Sequence, residues 1–152
     1  MASPSPISDT SLQVRRVVTA SRERVYAAWT EPERMKKWFL TPNKEYISEI
    51  IEVDLRVGGR LRAKTAKSPA GPPHRLNGVF REVKPLEKLV FTWSWEGQPE
   101  MGESLVTVEF RQLGESTFTE VVLTHQLFPN KEVRDQHNQG WIGCLDRMVE
   151  TL

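Results

Sequence analysis

The chain has 152 residues, room for one domain around a single sizeable core, and no repeat or linker divides it. Lysine and arginine number 21 against 20 aspartates and glutamates, so the net charge of +1 excludes the strong field that draws nucleic acid or an anionic membrane surface. There is no membrane-spanning apolar run and no basic–apolar leader, and the single cysteine, Cys144, excludes an intramolecular disulfide framework; a cytoplasmic, reducing setting is expected.

Residues 1–11, rich in serine and proline, read as a disordered tail ahead of one domain spanning 12–152. Leu12, Val14, Val18 and Ala20 alternate on one face of a first strand, with Arg16 interrupting that face and in need of a partner. Ser21 caps a short helix whose inner face is Val25, Ala28 and Trp29. A second short helix is expected to begin at Thr30, where Thr30-Glu-Pro-Glu33 has the form of a capping box and Pro32 falls in the first turn. It buries Met35, Trp38 and Phe39 and stops before Pro42.

Strands follow. Tyr46 to Val53 is mainly apolar, Asp54 to Gly59 is a turn whose paired glycines permit positive φ, and Arg60 to Lys67 returns as a polar strand. Ser68 to Pro73 is a loop. Leu76 to Val83 is a strand; Lys88 to Trp95 alternates Leu89, Phe91, Trp93 and Trp95 against Val90, Thr92 and Ser94. After a hairpin loop at 97–102, Val106, Val108 and Phe110 share a face; after a turn at 113–116, Thr119, Val121, Leu123 and His125 do the same. The chain closes on Val133, Trp141, Cys144, Leu145, Met148 and Leu152 at helical spacing, with His137 on the same side. A helix over about 130–152 spans on the order of 33 Å. The four strands between about 74 and 125, with their short connections, form an antiparallel meander. Six or seven strands and one long helix give an α+β fold, a curved sheet wrapped around that helix.

The ordered set Val14-x-Arg16, Val25-x-x-x-Trp29-Thr-x-Pro32, Trp38, Asp54-x-Arg56-x-Gly58-Gly59, Gly78-x-Phe80-x-Glu82-Val83, Leu89-Val-Phe-Thr-Trp93, Thr124-His125 and His137-x-x-Gly140-Trp141-x-x-x-Leu145 resembles the activator of heat-shock protein 90 ATPase homologue family. That family lies in the START and birch-pollen-allergen-like (SRPBCC) superfamily. Ser21 departs from the pattern, standing where the family usually has proline. The resemblance implies a helix-grip fold: about seven antiparallel strands around the C-terminal helix, with two short helices closing one end. It also implies a cavity between sheet and helix that holds a hydrophobic or amphipathic small molecule. It implies no particular reaction, cofactor or metal. A chaperone is the partner that the family name implies. The chaperone activators carry another domain ahead of this one, whereas about eleven residues precede the first strand here, which ranks that role second. A cyclase- or aromatase-like enzyme, as elsewhere in the superfamily, ranks third; His125, Glu49 and Glu52 are its candidate acid–base groups.

Each candidate has a structural reading beside its functional one. Trp38, Phe80, Trp93, Trp95 and Trp141 either line a pocket or fill a core. Gly140 and Gly143 weaken the helix by about 1 kcal/mol each relative to alanine, which implies close packing or room for a ligand. His125 and His137 suit a general base, but His125 is expected to be a structural hydrogen-bonding residue. His74 lies by the proline loop, and no His/Cys cluster has zinc spacing. Glu82 and Glu109, like Glu49 and Glu52, suit solvated strand faces, and Cys144 on the apolar helix face is not a reactive thiol. The expected ligand-binding set is Trp38, Phe80, Trp93, Trp95, His125 and Trp141, with no catalytic residue, metal ligand or cofactor assigned.

Overall fold

A computed structural model describes residues 6–67, 71–114 and 117–152. Strand β1 (Pro6–Ser8) leads into β2 (Ser11–Thr19), then helices α1 (Arg22–Thr30) and α2 (Pro32–Met35). Strands β3 (Tyr46–Val53), β4 (Arg60–Lys67), β5 (His74–Lys84) and β6 (Lys88–Trp95) follow, then a 3-10 turn at Pro99–Met101. Strands β7 (Ser104–Gln112) and β8 (Phe118–Gln126) precede helix α3 (Lys131–Thr151). The sheet is antiparallel throughout, in the order β1-β2-β8-β7-β6-β5-β4-β3. It curves around α3 in a helix-grip fold.

Alternation in the sequence becomes the core. Leu12, Val14 and Val18 of β2, Val121 and Leu123 of β8, Val106, Val108 and Phe110 of β7, and Leu89, Phe91 and Trp93 of β6 are all buried. From α3, Leu145 and Met148 are fully enclosed against them, each worth roughly 1.5–3 kcal/mol of apolar burial. Asn130 caps α3, its side-chain oxygen accepting from the Val133 N–H at 2.9 Å. Arg16 finds its partner on this helix: its guanidinium donates to Asp146 Oδ1 at 3.1 and 3.3 Å and to the carbonyl of Arg15 at 3.0 Å.

Three local expectations are corrected. Residues 6–11 are ordered, not a disordered tail: Pro6–Ser8 pairs with β2, the carbonyl of Ser8 accepts from buried Arg134 on α3, and the Phe128 N–H donates to Thr10 O at 3.1 Å. Residues 1–5 lie outside the described residues. Thr30 caps nothing: α1 runs one residue further than expected, and the Thr30 hydroxyl donates back to Tyr26 O at 2.9 Å. Glu31 is the N-cap of α2, without a side-chain cap bond, and Pro32 opens the helix. In the turn after β3, only Gly58 has positive φ (+86°); Gly59 is needed for space, since a Cβ there would overlap the Asp54 carbonyl.

Candidate ligand-binding site

Between α3 and the β4–β6 half of the sheet lies a cavity of about 330 Å³, near the lower end of the range for small-molecule sites. Trp93 and Trp95 from the end of β6 form one wall, and Gly140, Trp141 and Cys144 from α3 form the other, with His137 between them. Leu40, Pro42 and Thr65 close it on the third side. Exposed His74 and Gln136, with Gln98, lie where the cavity meets solvent.

The period-2 alternation of β6 sends Trp93 and Trp95 to the inner face, and their rings meet nearly edge to face, 5.7 Å apart at 87°. Trp141 lies 5.1 Å from Trp93. The two α3 glycines play different parts. A Cβ on Gly143 would sit 2.2 Å from the Pro42 carbonyl oxygen, so this glycine permits helix and loop to touch. A Cβ on Gly140 would meet nothing within 4 Å, so this one leaves the cavity open.

The walls are wired by paired indoles and imidazoles. Trp95 Nε1–H donates to His137 Nε2 at 2.9 Å, and His137 Nδ1 lies 2.8 Å from the Val133 carbonyl. Trp141 Nε1–H donates to His125 Nδ1 at 2.9 Å, and His125 Nε2 lies 2.7 Å from Ser104 Oγ. An indole only donates, so both imidazoles must be neutral, with the proton on Nδ1 of His137 and on Nε2 of His125. Burial, helped by the neighbouring His137, holds His125 well below the usual imidazole range. Burial also lowers His137, against the smaller opposing effect of its bond to the Val133 carbonyl.

The cavity receives three of the six expected residues: Trp93, Trp95 and Trp141. Trp38 is not among them. It is fully buried between the short helices, its Nε1–H donating to Ala28 O at 2.9 Å and its ring 4.6 Å from that of Trp29. Phe80 packs edge-on to Phe91 at 5.8 Å deeper in the sheet, because it pairs with Phe91, further back along β6 than the pair of Leu76 and Trp95 at the cavity end. His125 lies behind Trp93 and Trp141 with no exposure, holding the wall instead of lining it. Neither carboxylate advanced for acid–base work lines the cavity: Glu49 pairs with Lys64 at 3.4 Å and Glu52 with Arg62 at 3.9 Å. Glu82 and Glu109 likewise pair at the surface, with Lys84 and Arg111.

Leu40, Pro42, Tyr46, Gln98 and Met101 were missed because they lie in loops or at a strand end, where no periodicity marks a face. Leu40 had no sequence signal at all. It adopts φ +62°, unusual outside glycine, and its carbonyl accepts the Thr65 hydroxyl at 2.7 Å.

Sheet, gripped helix and intervening cavity define a START-like, helix-grip protein. The chain belongs to the family described as Activator of Hsp90 ATPase homolog 1-like protein, which residues 19–152 match. Among similar solved structures, protein CV1439 from Chromobacterium violaceum is 23% identical with a TM-score of 0.83, over 93% of this chain and 95% of that one. A protein from Arthrobacter aurescens has a TM-score of 0.85 at 16% identity, over 99% and 90%. The AHSA1-like protein from Aeromonas hydrophila has a TM-score of 0.74 at 22% identity, over 92% and 91%. These likenesses establish the fold. No curated protein matches the chain in sequence. Among the described residues no helix is long and apolar enough to cross a membrane.

Proposed function

We propose that the protein binds a small hydrophobic molecule in the cavity between the sheet and α3. The carrying observation is that the cavity is kept open by Gly140 and walled by Trp93, Trp95 and Trp141, although the same aromatic mass could have closed it. An empty apolar space of this size weakens the fold by forgoing contacts, so its upkeep by a helix-weakening glycine supports use of the space. A cytoplasmic setting accords with the one thiol being free and buried.

The test is a cavity-filling variant. Gly140→Leu should keep the circular dichroism spectrum and thermal transition of a folded protein. It should also abolish the quenching of tryptophan fluorescence by 2-methylnaphthalene, a hydrocarbon probe. Equal quenching in Gly140→Leu and wild type, or none in wild type, would overturn the reading.

A further inference from the structure

The walls differ from an ordinary polar–apolar pocket in that their polar atoms are already committed elsewhere. The indole N–H of Trp95 is given to His137 and that of Trp141 to His125. The Nε1 of Trp93 is buried without a partner among the described residues, so it too is withdrawn from the cavity surface. His137 uses both ring nitrogens inside the fold, one accepting from Trp95 and one donating to Val133 O. The Thr65 hydroxyl donates to Leu40 O. What these residues offer the cavity is ring face, ring edge and aliphatic carbon.

Among the described residues no aspartate, glutamate, lysine or arginine lines the cavity. A carboxylate or ammonium carried inward would lose its hydration and find no counter-ion. Among the described lining residues, free hydrogen-bonding capacity belongs to the Tyr46 hydroxyl and to the mouth. There His74 Nδ1 and Gln98 Nε2 lie 3.3 Å apart, which leaves the Gln98 carbonyl oxygen uncommitted. The amide of Gln136, across the mouth on α3, has no partner among the described residues.

From this division we infer that the site selects an uncharged, flat aromatic molecule carrying one hydrogen-bonding group at its edge. The rings enter first, between Trp93, Trp95 and Trp141, and the polar edge stays at Gln98 and Gln136. This inference rests on the cavity being a ligand site and adds the charge, shape and orientation of what it takes. An anionic lipid or aromatic acid is disfavoured by the absent cation. An organic cation gains from the aromatic faces but lacks any carboxylate to offset its desolvation.

Four probes on one skeleton separate these terms: 2-methylnaphthalene, 2-naphthalenemethanol, 2-naphthoate and 2-naphthylmethylammonium, titrated against wild-type tryptophan fluorescence near neutral pH. The alcohol should bind at least about tenfold more tightly than either ion, because a charged group held at the mouth gives up part of its hydration against half-buried Gln98 and finds no Asp, Glu, Lys or Arg among the described lining residues. Equal or tighter binding of the anion or the cation would overturn the inference. In the double variant Gln98→Leu/Gln136→Leu the advantage of the alcohol over the hydrocarbon should shrink by about two- to tenfold, the worth of a hydrogen bond. An unchanged ratio would refute the orientation. Failure of all four probes in the wild type would instead overturn the ligand site itself, which keeps the two conclusions separable.

Discussion

Alanine at Gly140 and alanine at Gly143 should move stability in opposite directions, although the two positions are one turn apart on the same helix. In an exposed helix interior, glycine to alanine stabilises by about 1 kcal/mol. At Gly140 the new methyl would meet nothing within 4 Å, so the full gain is expected. For a domain of this size that is a rise of about 2–4 °C in Tm. At Gly143 the methyl carbon would lie 2.2 Å from Pro42 O and 3.0 Å from Pro42 Cα. An ordinary contact needs more than an ångström of further separation, and the obstacle is backbone, which cannot swing aside as a side chain would. Overpacking costs typically about 1–3 kcal/mol, and a backbone obstacle belongs at the upper end. Set against the same helix gain, Gly143→Ala should be destabilised by about 2 kcal/mol. Urea denaturation followed by circular dichroism would read both, with midpoints moving apart at unchanged m. A Gly143→Ala protein as stable as wild type, or a destabilised Gly140→Ala, would refute the assignment of one glycine to packing and the other to space.

Acid should weaken the fold. His125 and His137 are both held below the ordinary value of 6.5, so the folded protein keeps them neutral while the unfolded chain takes up protons near that value. Stability is therefore complete above about pH 6.5 and declines as the pH falls below it, by up to about 1.4 kcal/mol per unit for each histidine. Urea midpoints between neutral and mildly acidic pH should show this, with a shallower decline in His137→Gln; an equal slope in that variant would remove His137 from the account. Burial pushes the Cys144 thiol up to about 12, against smaller opposing effects of the Thr41 and Leu40 backbone and Arg147. Iodoacetamide should accordingly label the native protein far more slowly than the urea-unfolded chain at mildly alkaline pH, and labelling at equal rates would show the thiol to be accessible.

The strands and the closing helix were legible because burial on one face imposes a period, two for Leu89 to Trp95 and about 3.6 for Trp141 to Met148. The ordered motifs gave the family for the same reason that they gave the fold. Chain ends and caps were less legible. Thr30-Glu-Pro-Glu33 has every residue of a capping box, yet α1 holds Thr30 in helical conformation and removes it from the cap. The composition of residues 1–11 argues for disorder, but Arg134, distant in sequence, supplies the tertiary contact that orders Ser8. Of the inward aromatics on the sheet, Trp93 and Trp95 near its open end line the cavity, and Phe80 and Phe91 nearer its middle fill the core. Sequence supplies the face of a residue but not its height along a curved sheet. That is why Trp93 and Phe80, both inward by alternation, have different neighbours.

His125 shows how structural and binding roles merge in this fold. Its expected role as a hydrogen-bonding core residue fits the geometry, yet the bond it accepts is from Trp141, which forms a cavity wall. His137 does the same for Trp95. The rings of the two histidines lie 5.3 Å apart, each ranged against Trp93 as well, so the three tryptophans share one buried network. Such a network holds the tryptophans in fixed orientations before any ligand arrives, which lowers the ordering cost of binding. It also couples the cavity to the protonation of two imidazoles that can serve as acceptors only while neutral. The same hydrogen bonds that satisfy the core therefore set the shape and the polarity of the space beside it.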